Sequence, residues 1–373
     1  MSRRAPDRIV RAAAAIDGPA LLFELPAIAA RLAAVRAAAR AADVEVLAAT
    51  KAIIGVPGLV ALAAAALDGL DLAGPDEDAA ITPTTGVVSV TYPGGATAAR
   101  LARLVAGGRR VIASCETAAQ VAAAAAVPGV AIAARLSTSA LGLAAPGGLR
   151  DAAGDHASRF GVAVDELRAL AAAAPGRVRA LHVHGGPLAV SAAALVTRAT
   201  AALAAADAAG LNLERLDLGG SLHGFALDAP IAGQVRLAAA LAAVRAAVPA
   251  AIALCVEPGR LLTEGCGYAS GPVLAARAIA GHDARVLGLS RLCHLRWSTP
   301  RLCAPPPAAG AGHRLVLVGA TCCEDDVITD ARVPDADALA VGETAIVAEV
   351  SGYAAAWNRG FAGVPAATVI AVE

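Results

Sequence analysis

Between residues 45 and 256, short apolar runs alternate with longer stretches in which apolar positions recur at helical spacing. Eight of the short runs read as strands: 45–50 (EVLAAT), 68–73 (DGLDLA), 87–91 (VVSVT), 109–113 (RRVIA), 129–135 (GVAIAAR), 178–184 (VRALHVH), 213–218 (LERLDL) and 251–256 (AIALCV). Between them, 97–107, 116–127, 163–174, 189–209 and 233–248 show the helical period and end at Gly or Pro. Eight strand–helix repeats over about 250 residues predict an α/β fold of the (β/α)8 TIM-barrel type. The alternative is an open doubly wound sheet, which the absence of a GxGxxG turn opening a helix after the first strand weakens.

After about residue 265 the period changes. Val-rich runs at 271–278, 314–318, 345–350 and 367–372 lie among turn signals and predict a β domain. Residues 300–313 (PRLCAPPPAAGAGH) read as a loop. The expected division is an N-terminal extension over 1–18, a barrel over 19–265 and a C-terminal β domain over 266–373.

Composition changes this picture in few places. Hydrophobic residues make up 57% of the 373, but alanine supplies the excess, and Arg, Asp or Pro interrupts the alanine runs. No stretch reaches the roughly 18 uncharged apolar residues that a spanning helix needs, so no membrane is expected. The 31 basic and 31 acidic residues cancel, which leaves no electrostatic case for nucleic acid. The 7 cysteines (115, 255, 266, 293, 303, 322, 323) are scattered and odd in number, without CxxC spacing. They read as thiols in a reducing, cytoplasmic setting, and no metal site is expected. The first 18 residues lack an apolar core of secretory-signal length.

One compositional fact bears on chemistry: Lys51 is the sole lysine among the 31 basic residues. Arginine supplies charge and donors as well as lysine does, but it cannot form an imine with an aldehyde. Lys51 is therefore a Schiff-base candidate, against the plainer reading of one surface lysine surviving by chance.

Lys51 also falls at a strand end, where barrels of this kind carry their functional residues. The first strand runs into Thr50-Lys51-Ala52, and the second carries Asp71, with Glu77 six residues on. The fifth ends at Arg135 and the sixth in His182-Val183-His184-Gly185-Gly186. The seventh runs into Asp217-Leu218-Gly219-Gly220-Ser221 and the eighth into Glu257-Pro258-Gly259-Arg260. Singly, each has a bland reading: a tight turn, a hydrogen-bonded histidine, a solvated loop, or an Asp71–Arg135 ion pair at the rim. In this order along a barrel they converge on one mouth.

These residues resemble the fold type III enzymes that use pyridoxal 5′-phosphate (PLP), in the ornithine, diaminopimelate and arginine decarboxylase branch rather than that of alanine racemase. The resemblance covers about 20–365. It rests on Phe23-Glu24-Leu25, Ala49-Thr50-Lys51-Ala52, Asp71-Leu72-Ala73 with Glu77, Ser158-Arg159-Phe160-Gly161, Leu181-His182-Val183-His184, Leu216-Asp217-Leu218-Gly219-Gly220 and Glu257-Pro258-Gly259-Arg260. It continues through Gly319-Ala320-Thr321-Cys322-Cys323-Glu324-Asp325-Asp326-Val327 and Gly352-Tyr353.

Around PLP, Lys51 would hold the aldehyde. Gly219, Gly220 and Gly259 would present backbone N–H groups to the phosphate, with Arg260 as its charged fork. Glu257 would hold the pyridine nitrogen protonated, and His184 would stack on the ring. Asp71 and Arg135 join this cofactor-binding set. By the resemblance, Tyr353 reaches the phosphate, and Cys322 enters a neighbouring subunit's site to return a proton. This implies a head-to-tail homodimer. Cys323, Glu324 and Asp326 would contact the substrate, an amino acid. Three departures stand out: Pro187 replaces a serine, Cys323 an acidic residue, and 284–300 lacks an Asp-Gly turn. They point away from simple lysine or ornithine. The expected activity is decarboxylation. Racemisation through the same carbanion, or a PLP-free binding relative, are the alternatives.

Overall fold

A computed structural model describes residues 4–143, 149–150, 156–185, 191–225, 230–308 and 312–373. The chain divides into two compact units, one of residues 31–51 and 60–262 and one of 1–30, 52–59 and 263–373.

The strands in chain order are β1 (Ala20–Glu24), β2 (Val44–Ala49), β3 (Gly69–Leu72), β4 (Val87–Val90), β5 (Arg110–Cys115), β6 (Val130–Arg135), β7 (Leu149–Arg150), β8 (His156–Ala157), β9 (Val178–His182), β10 (Arg215–Asp217) and β11 (Ala253–Val256). In the first unit β2, β3, β4, β5, β6, β9, β10 and β11 close into a barrel in that order. All eight neighbouring pairs run parallel. These are the eight strands the sequence predicts, each within two residues at either end. Among the described residues of this unit, β7 and β8, a two-stranded antiparallel pair, stand outside the repeat.

Parallel strands need crossover connections, and helices supply them. Three begin at hydroxyl caps: Thr97 accepts from Arg100 N–H, Thr117 from Gln120 N–H and Ser191 from Ala194 N–H. Leu47, Val87, Ile112, Ala133, Ala180 and Cys255, one from each of six strands, form a buried apolar layer. Near the N-terminal strand ends Glu45 pairs with both Arg110 and Arg215. All strand C-termini therefore open at one end, above a filled interior.

The helix Ala192–Ala209 is long and apolar enough to cross a membrane by length and composition alone. It carries Arg198 and Asp207 and is the crossover between β9 and β10.

The second unit holds β12 (Gly267–Ile279), β13 (His282–Leu287), β14 (Arg301–Ala304), β15 (His313–Val318), β16 (Val327–Val333), β17 (Thr344–Ala348) and β18 (Thr368–Val372). Six of them form the path β14-β17-β12-β13-β15-β16, and β1 pairs with β12 and β18. Thus β1, which lies inside the segment assigned to the barrel, is a strand of the β unit, antiparallel to β12 and parallel to β18. The helix Asp7–Ala14 places Ile9 and Ala13 in a core with Leu22, Tyr268 and Ile346, so residues 1–18 are part of this unit rather than an appendage. The expected loop at 300–313 begins with β14, whose Leu302 and Cys303 are buried.

Candidate active site

Lys51 sits in a single turn of 3-10 helix directly after β2, and its Nζ lies 3.1 Å from Asp71 Oδ2 at the end of β3. The Asp71 carboxylate is fully buried, and its other oxygen accepts from Thr91 Oγ1 at 2.7 Å. The lysine side chain keeps 37% of its surface, so the amine is anchored yet reachable. Glu77 turns back to accept from Ala73 N–H at 2.8 Å, and burial raises its carboxyl above the usual range.

Arg135 closes β6 and pairs with Glu116 at 3.1 Å, so the rim ion pair with Asp71 is not formed. Its guanidinium stands 4.4 Å from the Phe160 ring centroid. Gly161 makes this possible: at φ +78° it brings the loop onto the Leu136 backbone, where a Cβ would clash. Thr91 and Glu116 follow the third and fourth barrel strands. They were overlooked in the sequence, although their strand-end positions mark them by the same rule as the others.

At the ends of β9, β10 and β11 three titratable side chains meet. His182, Asp217 and Glu257 are buried, with ligand-type atoms within 4.8 Å of one another. His182 Nε2 is 3.3 Å from Glu257 Oε2, but neither ring nitrogen makes an aligned hydrogen bond. Burial, reinforced by Arg135 and Lys51, takes the imidazole down to about 4, so it is neutral at pH 7. Burial pushes Asp217 up to about 7, with Glu257 as the next cause, and Glu257 up to about 8, with Asp71 next. Glu257 Oε1 is buried and has no geometrically aligned hydrogen-bond partner among the described residues, with Asp217 its neighbouring carboxyl.

The turn after β10 shapes the floor. Gly219 has φ +61°, and a Cβ there would stand 2.8 Å from His184 Cδ2. A Cβ on Gly220 would meet the Glu257 carbonyl at 2.7 Å and His184 Nε2 at 3.5 Å. His184 therefore lies against a backbone without side chains, and burial holds its imidazole well below the ordinary value. The Gly219 N–H donates to Asp217 Oδ1 at 2.8 Å, so it is not open to a phosphate as expected. The Gly220 N–H makes no hydrogen bond among the described residues. Gly259 is buried before the short helix that Arg260 begins, and His223 on the helix Leu222–Phe225 is held down by burial and then by Arg260. Gly186 and Pro187 lie outside the described residues.

Lys51, Asp71, Arg135, His184, Gly219, Gly220, Glu257, Gly259 and Arg260 thus share one unit and the same strand ends. The remaining expected residues belong to the β unit. There Tyr353 packs edge-on at 5.0 Å against Trp297, whose ring centroid is 5.6 Å from that of Trp357. Cys322 is exposed, Cys323 half-buried and Glu324 exposed. Asp326 is buried with both oxygens engaged: Oδ1 accepts from Arg291 N–H at 2.6 Å, and Oδ2 from Thr321 N–H at 3.2 Å and its hydroxyl at 2.7 Å. Its carboxylate organises its own turn.

No family model and no curated protein matches the sequence. Solved structures do. The arginine decarboxylase of Paramecium bursaria Chlorella virus, bound to agmatine, superposes with TM-score 0.75 at 18% identity over 98% of this chain and 99% of that one. The lysine/ornithine decarboxylase of Vibrio vulnificus, complexed with cadaverine, gives 0.73 at 18% over 98% and 97%. An SrLDC mutant in complex with PLP gives 0.73 at 20% over 99% and 95%. The chain has the fold of these decarboxylases. A barrel of this decarboxylase type with a mixed β unit is what the resemblance in sequence implied. The likeness extends through both units rather than stopping at the barrel.

Proposed function

We propose that the protein is a PLP-dependent amino-acid decarboxylase. The observation that carries this reading is the Glu257 carboxyl, buried beside Asp217 with its Oε1 unpartnered among the described residues by hydrogen-bond geometry, at the same strand ends as the sole lysine. The donor set fits the cofactor. Lys51 Nζ would hold its aldehyde. Glu257 would take the N–H of its pyridine nitrogen, and the neutral His184 would lie flat on the ring. Gly220 N–H, the Gly259 turn and Arg260 would take the phosphate. When bound, PLP supplies an electron sink for the charge left at Cα after CO2 departs.

The chain's own groups supply the rest. Asp71, fixed by Thr91, keeps Lys51 Nζ in place at 3.1 Å. Lys51 Nζ is then positioned to return the proton to Cα. With a pyridine N–H beside it, Glu257 would be the anion, and Asp217 next to it would keep its own proton. Arg135, clamped by Glu116 and Phe160, adds positive charge at the mouth.

The proposed substrate side chain is neither that of lysine nor that of ornithine. Supporting this, Cys323 stands where the resemblance expects an acid, and Asp326 is engaged within its turn. The proposal includes a head-to-tail homodimer in which Cys322 serves the neighbouring site. The exposure of Cys322 and of Trp297, Val327, Trp357 and Phe361 on the β unit supports it.

A panel of amino acids incubated with PLP and the protein tests the reading by CO2 release. At least one should be decarboxylated, and Lys51→Ala should lower that rate by about 10³-fold or more, the scale of losing a covalent catalyst. Deuterium uptake at Cα with no CO2 from any substrate would replace decarboxylation by racemisation.

A further inference from the structure

Arg198 lies on the helix Ala192–Ala209, on the stripe with Leu195, Ala199 and Ala202 that faces inward. It is 3% exposed. Among the described residues its guanidinium makes one hydrogen bond, from NH1 to the Leu218 carbonyl at 2.8 Å, and its Nε is buried without a partner. Its NH2 fills the space a side chain at Gly185 would take, 1.6 Å from the ideal Cβ position. No acidic side chain pairs with it among the described residues. Burial brings the guanidinium down to about 10.

A buried cation without a counterion is among the costliest arrangements a fold can carry, and native chains pair it or supply an anion. Arg198 stands behind two strand-end turns at once, Val183–Gly185 after β9 and Leu218–Gly220 after β10. It draws the Leu218 carbonyl towards itself, so the peptide plane preceding Gly219-Gly220 is set by this contact. Arg198 in turn acts on His184, whose neutral imidazole lies against the same Gly219–Gly220 turn. Among the described residues no anion offsets this charge, and an anionic ligand group on the outer face of the turn would do so.

We propose that Arg198 is a positioning residue for the anionic group of the ligand: a buried counter-charge that orients the Leu218–Gly220 turn and favours a phosphate bound on its outer face. This rests on the PLP reading above and adds to it a residue that contacts the phosphate only through the turn.

The test compares PLP with pyridoxal, which lacks the phosphate, by absorbance titration of covalent attachment to Lys51. Arg198→Gln keeps a donor for Leu218 and removes the charge, and Arg198→Lys restores the charge. In Arg198→Gln the affinity for PLP should fall about tenfold or more while that for pyridoxal stays unchanged, and Arg198→Lys should recover part of the loss. Equal losses for both ligands, or none for either, overturn the proposal. Uptake of neither ligand by the wild type contradicts the PLP reading instead. Inorganic phosphate then still decides the matter. It should raise the melting temperature of the cofactor-free wild type and not that of Arg198→Gln. If the variants do not fold, a wild type that phosphate leaves unmoved overturns the proposal.

Discussion

Asp217 and Glu257 are two carboxyls buried side by side, with a neutral imidazole as their nearest base. Each carries its proton far above the usual carboxylate range, at about 7 and about 8. The sign of the pH effect follows. Unfolded, both release protons near pH 4. Folded, they hold protons up to pH 7–8, so the native state binds more protons in between. The contribution of this pair to the stability of the cofactor-free protein should therefore fall as pH rises from about 5 to about 8 and level off above, against the opposite contribution of His182 below about pH 6.5. Each unit of difference weighs about 1.4 kcal/mol, shared between two coupled groups. Denaturant midpoints across that range check it as a difference from the Asp217→Asn/Glu257→Gln double variant, which keeps the histidine contribution. The groups facing the pair, Lys51, Asp71, Arg135, His182, Arg215 and Cys255, are unchanged in that comparison. A wild-type slope equal to that of the double variant would contradict the assignment.

At the scale of elements, the turn after β10 and the ion group below the barrel make separable predictions. Gly219→Ala places a Cβ at φ +61° against His184. It should cost about 1–3 kcal/mol of stability and also weaken PLP binding, read by unfolding and absorbance titration together. Glu45→Gln removes the partner of Arg215, which is nearly buried, and of Arg110 at the opposite end. It should lower stability by about 2–3 kcal/mol, somewhat less than for a fully buried pair because Glu45 keeps some solvent contact, and leave PLP affinity unchanged. A joint loss in Glu45→Gln would mean the two ends are coupled. All eight barrel strands were legible because buried parallel strands are apolar throughout and recur with their helices. In the β unit β12, β15, β17 and β18 were legible from their Val-rich runs. β13, β14 and β16 were not, because Arg, Asp and Pro interrupt or adjoin them and pairing partners far along the chain decide their state. Arg198 escaped notice for a related reason: in an alanine helix only packing reveals which arginine turns inward.

For the whole molecule, one fold type accounts for the two interleaved units and for the assembly of nine expected residues at one set of strand ends. Sequence identities of 18–20% leave that fold recognisable only through structure and a few strand-end motifs. Under the proposed function these motifs are the positions where chemistry would demand a residue type: an amine that forms imines, glycines that admit a ring, a carboxyl beside a nitrogen. The measurement closest to the central claim is borohydride reduction of the protein with PLP, followed by peptide mapping. The account predicts a visible chromophore lost on reduction and a phosphopyridoxyl group on Lys51. A protein that stays colourless with PLP, or carries the label only at its N-terminal amine, would contradict it.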